Sequence, residues 1–288
     1  PSKLFPLHST FVHIGKTGGK TVEALLKESK ITVSGPAVSC SPRFQVCQVH
    51  SRPLTVEEIQ GGGPVFITVR DPLARSLSAF NWRNPRDGAE HLRDRNLSGT
   101  LEGRMFDCFD QIDALALALD SGTPCGAIAR GALSPGKDAH HLSMGFAYYL
   151  QGVLERLTSE RDAQGVPVRR YELVRTETLL EDMRRVMPWA ARTQLRADLL
   201  SNEHLFGEYP GKNKTYLSPR GRELLRTHLA SEYVIMRRLE AYASLATRIN
   251  FSSSEVVNRS VRTGASALHV GNIAERPRPQ PEQRKSKE

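Results

Sequence analysis

The segment HIGKTGGKT, His13 to Thr21, limits the folds open to this chain more than any other. Ahead of it, Thr10–Ile14 (TFVHI) is β-branched and apolar and reads as a buried strand. Behind it, Val22, Leu25 and Leu26 recur at helical spacing. A glycine-rich turn from strand to helix is where a parallel α/β sheet binds phosphate, because N–H groups at a helix N-terminus converge on an anion. Gly18 and Gly19 let the backbone approach closely, Thr17 and Thr21 carry hydroxyl donors, and Lys16 and Lys20 add charge. A Walker-type loop needs Gly, four residues, then Gly-Lys-Ser/Thr. Counting back from Gly19-Lys20-Thr21 puts that first Gly at position 14, which is Ile14, and Gly15 comes one residue late. The spacing disfavours a magnesium–ATP loop.

Strand signals recur at Phe44–Val49, at Val65–Val69 (VFITV, leaving at Arg70) and at Val168–Val174. Helical patterns follow Pro72 through Leu73, Leu77 and Phe80, then Phe109–Leu119, Leu142–Val153 and Thr176–Met187. A last long helix starts at Ser218 with Pro219 behind it, a good N-cap and first-turn pair, with Leu225, Leu229, Met236 and Leu239 inward. The polar run from about Asn84 to Gly103 reads as an exposed insertion. Strands alternating with helices imply an α/β fold, with a central parallel sheet flanked by helices on both faces. With the phosphate loop, that is a P-loop-type three-layer sandwich. From about position 249 periodicity fades, and Arg276–Glu288 (RPRPQPEQRKSKE) is Pro-rich and charged, so 249–288 reads as a disordered tail.

A second motif sharpens the first. VFITVRDPLARSLSAF has a strand ending in Arg70, a helix beginning near Pro72, and Ser78 eight residues after the Arg. Arg at a strand's C-terminal end reaches the sheet crevice with a fork matched to phosphate oxygens, and Ser on the next helix can close on the same phosphate. Arg75 reads as a solvated helix residue, and Asp71 is a poor candidate for a magnesium ligand beside Arg70. TFVHIGKTGGKTVEALL resembles the 5′-phosphosulfate loop of sulfotransferases that use phosphoadenosine phosphosulfate (PAPS), especially the glycan (heparan/chondroitin-type) O-sulfotransferase branch. There the usual form is H-I-P-K-T-G-G-T-S between a strand and a helix. Here Gly15 stands for the Pro and Lys20 for a small hydroxyl residue. The Arg70/Ser78 segment resembles the same family's 3′-phosphate segment. The resemblance is sharp over about Thr10–Phe80, weaker through Tyr171–Val186, and loose at Leu217–Leu239.

The resemblance implies a sulfotransferase domain over 1–248. PAPS would be the co-substrate, bound by Lys16, Thr17, Gly18, Gly19, Lys20, Thr21, Arg70 and Ser78, with no metal required. The family's loop before the last helix folds over the nucleotide, which makes Lys212 and Lys214 candidates by position, although a solvated loop serves equally well. Lys16 can stabilise charge on the departing phosphate. An imidazole suits the general base at neutral pH. His50 ends the second strand, and related glycan enzymes place a catalytic His after the first helix. Glu23, one turn into the first helix, is the competing base. His13 reads as structural, and His140 and His141 as candidates to line the acceptor cleft.

Charge and composition bear on partners and compartment. The chain carries 40 Lys+Arg against 31 Asp+Glu, a net +9. Phe251–Glu288, with seven basic and four acidic residues, supplies only +3 of it. The surplus suits a phosphorylated co-substrate or an acidic glycan, and a basic protein that merely binds polyanions is the non-enzymatic alternative. Arg83, Arg86, Arg93, Arg95 and Arg104 read as a rim for an acidic polysaccharide; nucleic acid is not expected as a partner. Cys40, Cys47, Cys108 and Cys125 fit no close metal-ligand pattern and read as disulfides or buried thiols alike. Sequons at Asn96, Asn213, Asn250 and Asn258, among eight asparagines, exceed the roughly one expected by chance and lean towards a glycosylated, lumenal protein. The expected location is the Golgi lumen, otherwise the cytoplasm. Contact with the membrane is expected only through an N-terminal anchor trimmed from a chain that lacks an initiator Met.

Overall fold

The computed structural model describes residues 9–35, 45–60, 63–84, 97–159, 171–186 and 216–243. All belong to one compact unit, Pro1–Thr247; the second unit, Arg248–Glu288, and the expected tail lie outside the described residues. Four strands, β1 (Ser9–Val12), β2 (Val46–Val49), β3 (Val65–Val69) and β4 (Tyr171–Arg175), form one sheet in the order β2-β1-β3-β4. Every pairing is parallel, with Thr10 opposite Cys47 and Val65, and Ile67 opposite Leu173. The strands are almost wholly buried, as a parallel sheet covered on both faces requires.

Alternate side chains feed two cores. On one face Phe11, Val46, Phe66 and Val174 pack with Val22, Leu25 and Leu26 of α1 (Gly19–Glu28) and Met183 of α9 (Leu179–Val186). On the other, Val12, Val49, Ile67 and Leu173 meet α7 (Phe146–Leu150) and α8 (Leu154–Ser159). Leu239 and Tyr242, from the helical stretch α11 (230–243), join that second core. α2 (Val56–Gln60) adds Ile59. A third core is purely helical: α3 (Pro72–Arg83), α4 (Leu101–Cys108), α5 (Ile112–Ala118), α6 (Pro124–Leu133) and α10 (Pro219–His228). A Cys108–Cys125 disulfide ties α4 to α6, and Cys47 is disulfide-bonded as well. Among the described residues no helix is long and apolar enough to cross a membrane.

Three local expectations need correction. The helix over Leu142–Val153 begins only at Phe146, because Gly145 is its N-cap and the buried Glu232 carboxylate accepts from the Phe146 and Ala147 N–H groups. The polar run Asn84–Gly103 is not exposed throughout. Asn84 and Glu102 are buried, and α4 starts at Leu101 under a Thr100 cap. Arg83 does not belong to a basic rim either. It is 5% exposed and forms a buried two-pronged pair with Glu102, while Arg104 is exposed. Arg86, Arg93 and Arg95 lie outside the described residues.

Candidate active site

The chain leaves β1 for β2 on one side and β3 for β4 on the other, so the sheet order reverses between β1 and β3. Loops diverge at such a switch point and open a crevice beyond the strands' C-terminal ends. The loop after β1 carries Lys16, the residue after β3 is Arg70, and His50 follows β2. Arg70 Nη1 donates to the Lys16 carbonyl oxygen at 3.3 Å, closing the loop across the crevice.

The loop's backbone is unusual where the motif is densest. Lys16 (φ 69°) and Gly18 (φ 83°) are both left-handed, a conformation that costs a lysine free energy and a glycine almost none. Gly18 is also the N-cap of α1, so no side chain caps that helix, and its first turn holds no acidic residue. The arrangement suits an anion at the helix start. Gly19 is required by packing, since a Cβ there would collide with the His13 ring. Thr17 turns inward, its hydroxyl 2.6 Å from both the Ile14 carbonyl and Thr68 Oγ1, so its backbone is what it offers a ligand. Thr21 is buried, with its N–H donated to Gly18 O at 3.0 Å.

Lys16 Nζ lies 4.1 Å from the Trp82 ring centroid, a cation–π contact with α3. Burial, and then the Arg70 charge, push the Lys16 ammonium down to about 7. Burial also lowers Arg70, against the pull of Glu177 and Asp71. Lys20 is exposed and pairs with Glu23 at 3.0 Å. Ser78 sits part-exposed in the middle of α3. Asp71 is structural: Oδ1 accepts from Ala74 N–H at 2.8 Å as the α3 N-cap, and Oδ2 accepts from Tyr233 Oη at 3.0 Å. Lys212 and Lys214 lie outside the described residues, as do all four sequon asparagines.

Packed against the loop is a group of imidazoles. His50 Nδ1 is 2.7 Å from the His13 carbonyl oxygen, an acceptor only, so Nδ1 carries the ring proton and Nε2 keeps its lone pair. The His50 ring stacks on His13 at 4.1 Å between centroids, and His141 tilts against it at 5.6 Å. Burial and the neighbouring His13 hold His50 down at about 4, so it is neutral at pH 7. Glu23, the competing base, is engaged by His13 Nδ1 at 2.9 Å, by Lys20 and by Gln48. Burial alone would raise Glu23, but these hydrogen bonds and the His13 charge hold it at about 2, a poor proton acceptor.

Arg75, expected in solvent, is instead 1% exposed. It donates through Nη1 to His141 O at 2.7 Å and through Nη2 to Leu142 O at 3.3 Å. Counted from Leu73 and Phe80 at helical spacing, Arg75 falls on the opposite face of α3, so periodicity gives no sign of its burial. What sequence reasoning missed is the reach of α3 and α7 towards the loop. Trp82 and Tyr149, whose hydroxyl bonds the Gly15 backbone, meet the loop from distant elements with no motif to announce them. Comparison with protein families, with curated proteins and with solved structures returned no match to this chain.

Proposed function

We propose that the chain is a PAPS-dependent O-sulfotransferase of P-loop-type architecture, acting on a hydroxyl of a carbohydrate. The observation that carries this reading is the convergence of Lys16 and Arg70 on the switch-point crevice, joined through the 3.3 Å bond, beside an uncapped helix start. Two cations whose charge is disfavoured by burial, and a helix N-terminus lacking an acceptor, fit a ligand with several phosphate or sulfate oxygens. Asp71, the one residue at the end of β3 that could hold magnesium beside a nucleotide, already has both oxygens engaged, which weighs against an ATP-dependent kinase. The Cys108–Cys125 disulfide favours an oxidising compartment such as the Golgi lumen.

PAPS supplies a sulfuryl group already activated by its bond to phosphate. His50, neutral and with Nε2 unprotonated, takes the proton of the acceptor hydroxyl as its oxygen bonds to sulfur. Lys16 and the first N–H groups of α1 stabilise the negative charge that collects on the phosphate oxygen as the S–O bond breaks. Arg70 and Ser78 hold the far phosphate and so fix the donor in line.

Thermal shift tests the reading. Stabilisation by the desulfated nucleotide PAP without metal is the expected result, and stabilisation by Mg-ATP alone would sink it. His50→Ala should abolish turnover while PAP affinity stays within about twofold. Polyanion binding that survives both Lys16→Ala and Arg70→Ala would favour a non-enzymatic binding protein.

A further inference from the structure

Resting on the sulfotransferase reading, we infer that His141 is a second functional imidazole, whose Nε2–H contacts the sulfuryl group of the donor. His141 lies between the two halves of the proposed chemistry. Its ring packs across Gly15 at the start of the phosphate loop, and it stands 5.6 Å from the ring of His50. A group beside both the loop that would hold the donor and the base that would serve the acceptor borders the place of the transferred group.

The packing also sets the tautomer. A Cβ on residue 15 would collide with His141 Nδ1, and that nitrogen is buried without a hydrogen-bond partner. A nitrogen pressed against a Cα–H carries its lone pair there more readily than a proton with no acceptor, so the ring proton belongs on Nε2. Burial first, then neighbouring imidazoles and the Lys16 and Arg83 cations, hold His141 far below the usual imidazole range, and it stays neutral. The two rings are therefore complementary: His50 presents a lone pair at Nε2, and His141 presents a donor.

Two further features are built around this residue. Gly15 stands where the resembling loops carry Pro, and only a residue without a Cβ admits the ring. Arg75, fully buried at the cost of its hydration, has both described hydrogen bonds on the carbonyls of residues 141 and 142, with Nε left unpartnered. A buried guanidinium used in this way fixes the turn and hence the ring.

Calorimetric titration with PAPS and with PAP separates this contact from general binding. His141→Phe, which keeps a planar ring on Gly15, should lose roughly tenfold in PAPS affinity with PAP affinity unchanged. His141→Gln, with an N–H near the Nε2 position, should recover most of the loss. A folded His141→Phe that keeps the wild-type ratio of PAPS to PAP affinity overturns the inference, as does an equal loss for both ligands. Should the variants fail to fold, imidazole ¹⁵N spectra of the wild-type protein decide. An Nε2–H tautomer whose signal differs between the PAP and PAPS complexes supports the contact, and identical signals overturn it. Wild-type protein that binds no PAP without metal removes the sulfotransferase reading itself, and this inference with it.

Discussion

In the helical third core (the lobe), four of the five helices start under a side-chain cap, α5 being the exception. Thr100 accepts from Gly103 N–H, Thr123 from Gly126 N–H and Ser218 from Gly221 N–H, and a disulfide ties α4 to α6. At the crevice the pattern reverses. α1 starts without a side-chain cap, Lys16 holds a left-handed backbone and a depressed ammonium, and His141 Nδ1 and the Nε of Arg75, which holds the His141 carbonyl, are buried without partners. Both regions are well packed, so the difference is electrostatic. The lobe satisfies most of its helix starts internally, while the crevice, on the reading proposed above, leaves its donors for a group with negative charge.

The sharpest way to break that contrast is Lys16→Met. The folded-state pKa of Lys16 is about 7, well below its ordinary value, so the penalty of burying its charge is fully present below pH 7 and fades as pH rises towards 10.5. Removing the charge should raise the melting temperature of the unliganded protein at neutral pH, yet cost roughly 10²–10³-fold in turnover, as for loss of a group stabilising the leaving charge. Differential scanning at pH 6 and 9 checks the first part, with the larger gain expected at pH 6. A variant less stable than wild type at both pH values would put Lys16 with the structural residues. On the sulfotransferase reading, kcat/KM of the wild-type protein should fall above pH 7, as Lys16 loses its proton, and below about pH 4, as His50 gains one.

Next in size is the disulfide. Replacing Cys108 and Cys125 together by Ser opens a link across 17 residues and should cost about 2–4 kcal/mol in chemical denaturation. If the lobe and the crevice are as distinct as they look, PAP affinity of the folded double variant stays within about twofold. A tenfold loss would show that the lobe holds α3, and with it Trp82 against Lys16, in place.

How much of this was legible in the sequence follows from the range of the interactions involved. Local composition delimits β3 to the residue, and β1 and β2 nearly so, because a buried parallel strand is a short β-branched run. Lys16, Arg70 and His50 were legible because strand ends carry them to one edge of the sheet. Arg75, Glu232 and the Arg83–Glu102 pair were not, since a charged residue reads as solvated until its partner is known. Those partners lie 66, 86 and 19 residues away in the chain. α6 carries at Thr123-Pro124 the same cap and first-turn signal that marks α10 at Ser218-Pro219, yet shows no helical period. Its Ala- and Gly-rich inner face has too few large apolar residues to mark a period.

The smallest predicted effect tests the same contrast from the lobe's side. Ser218 caps α10 through Gly221 N–H at 3.0 Å, and its hydroxyl and N–H both reach Asp113 Oδ1 of α5 at 2.8 Å. Ser218→Ala removes the cap and one of the two donors to that carboxylate, but keeps the backbone N–H that holds the helices in register. The expected loss is about 1 kcal/mol, read from a denaturant midpoint with unchanged slope. Asp113→Asn keeps an oxygen for the same N–H and should cost less. If Ser218→Ala instead weakens PAP binding while stability barely moves, α10 belongs functionally to the crevice. The division between a satisfied lobe and an unsatisfied site would then run through the third core.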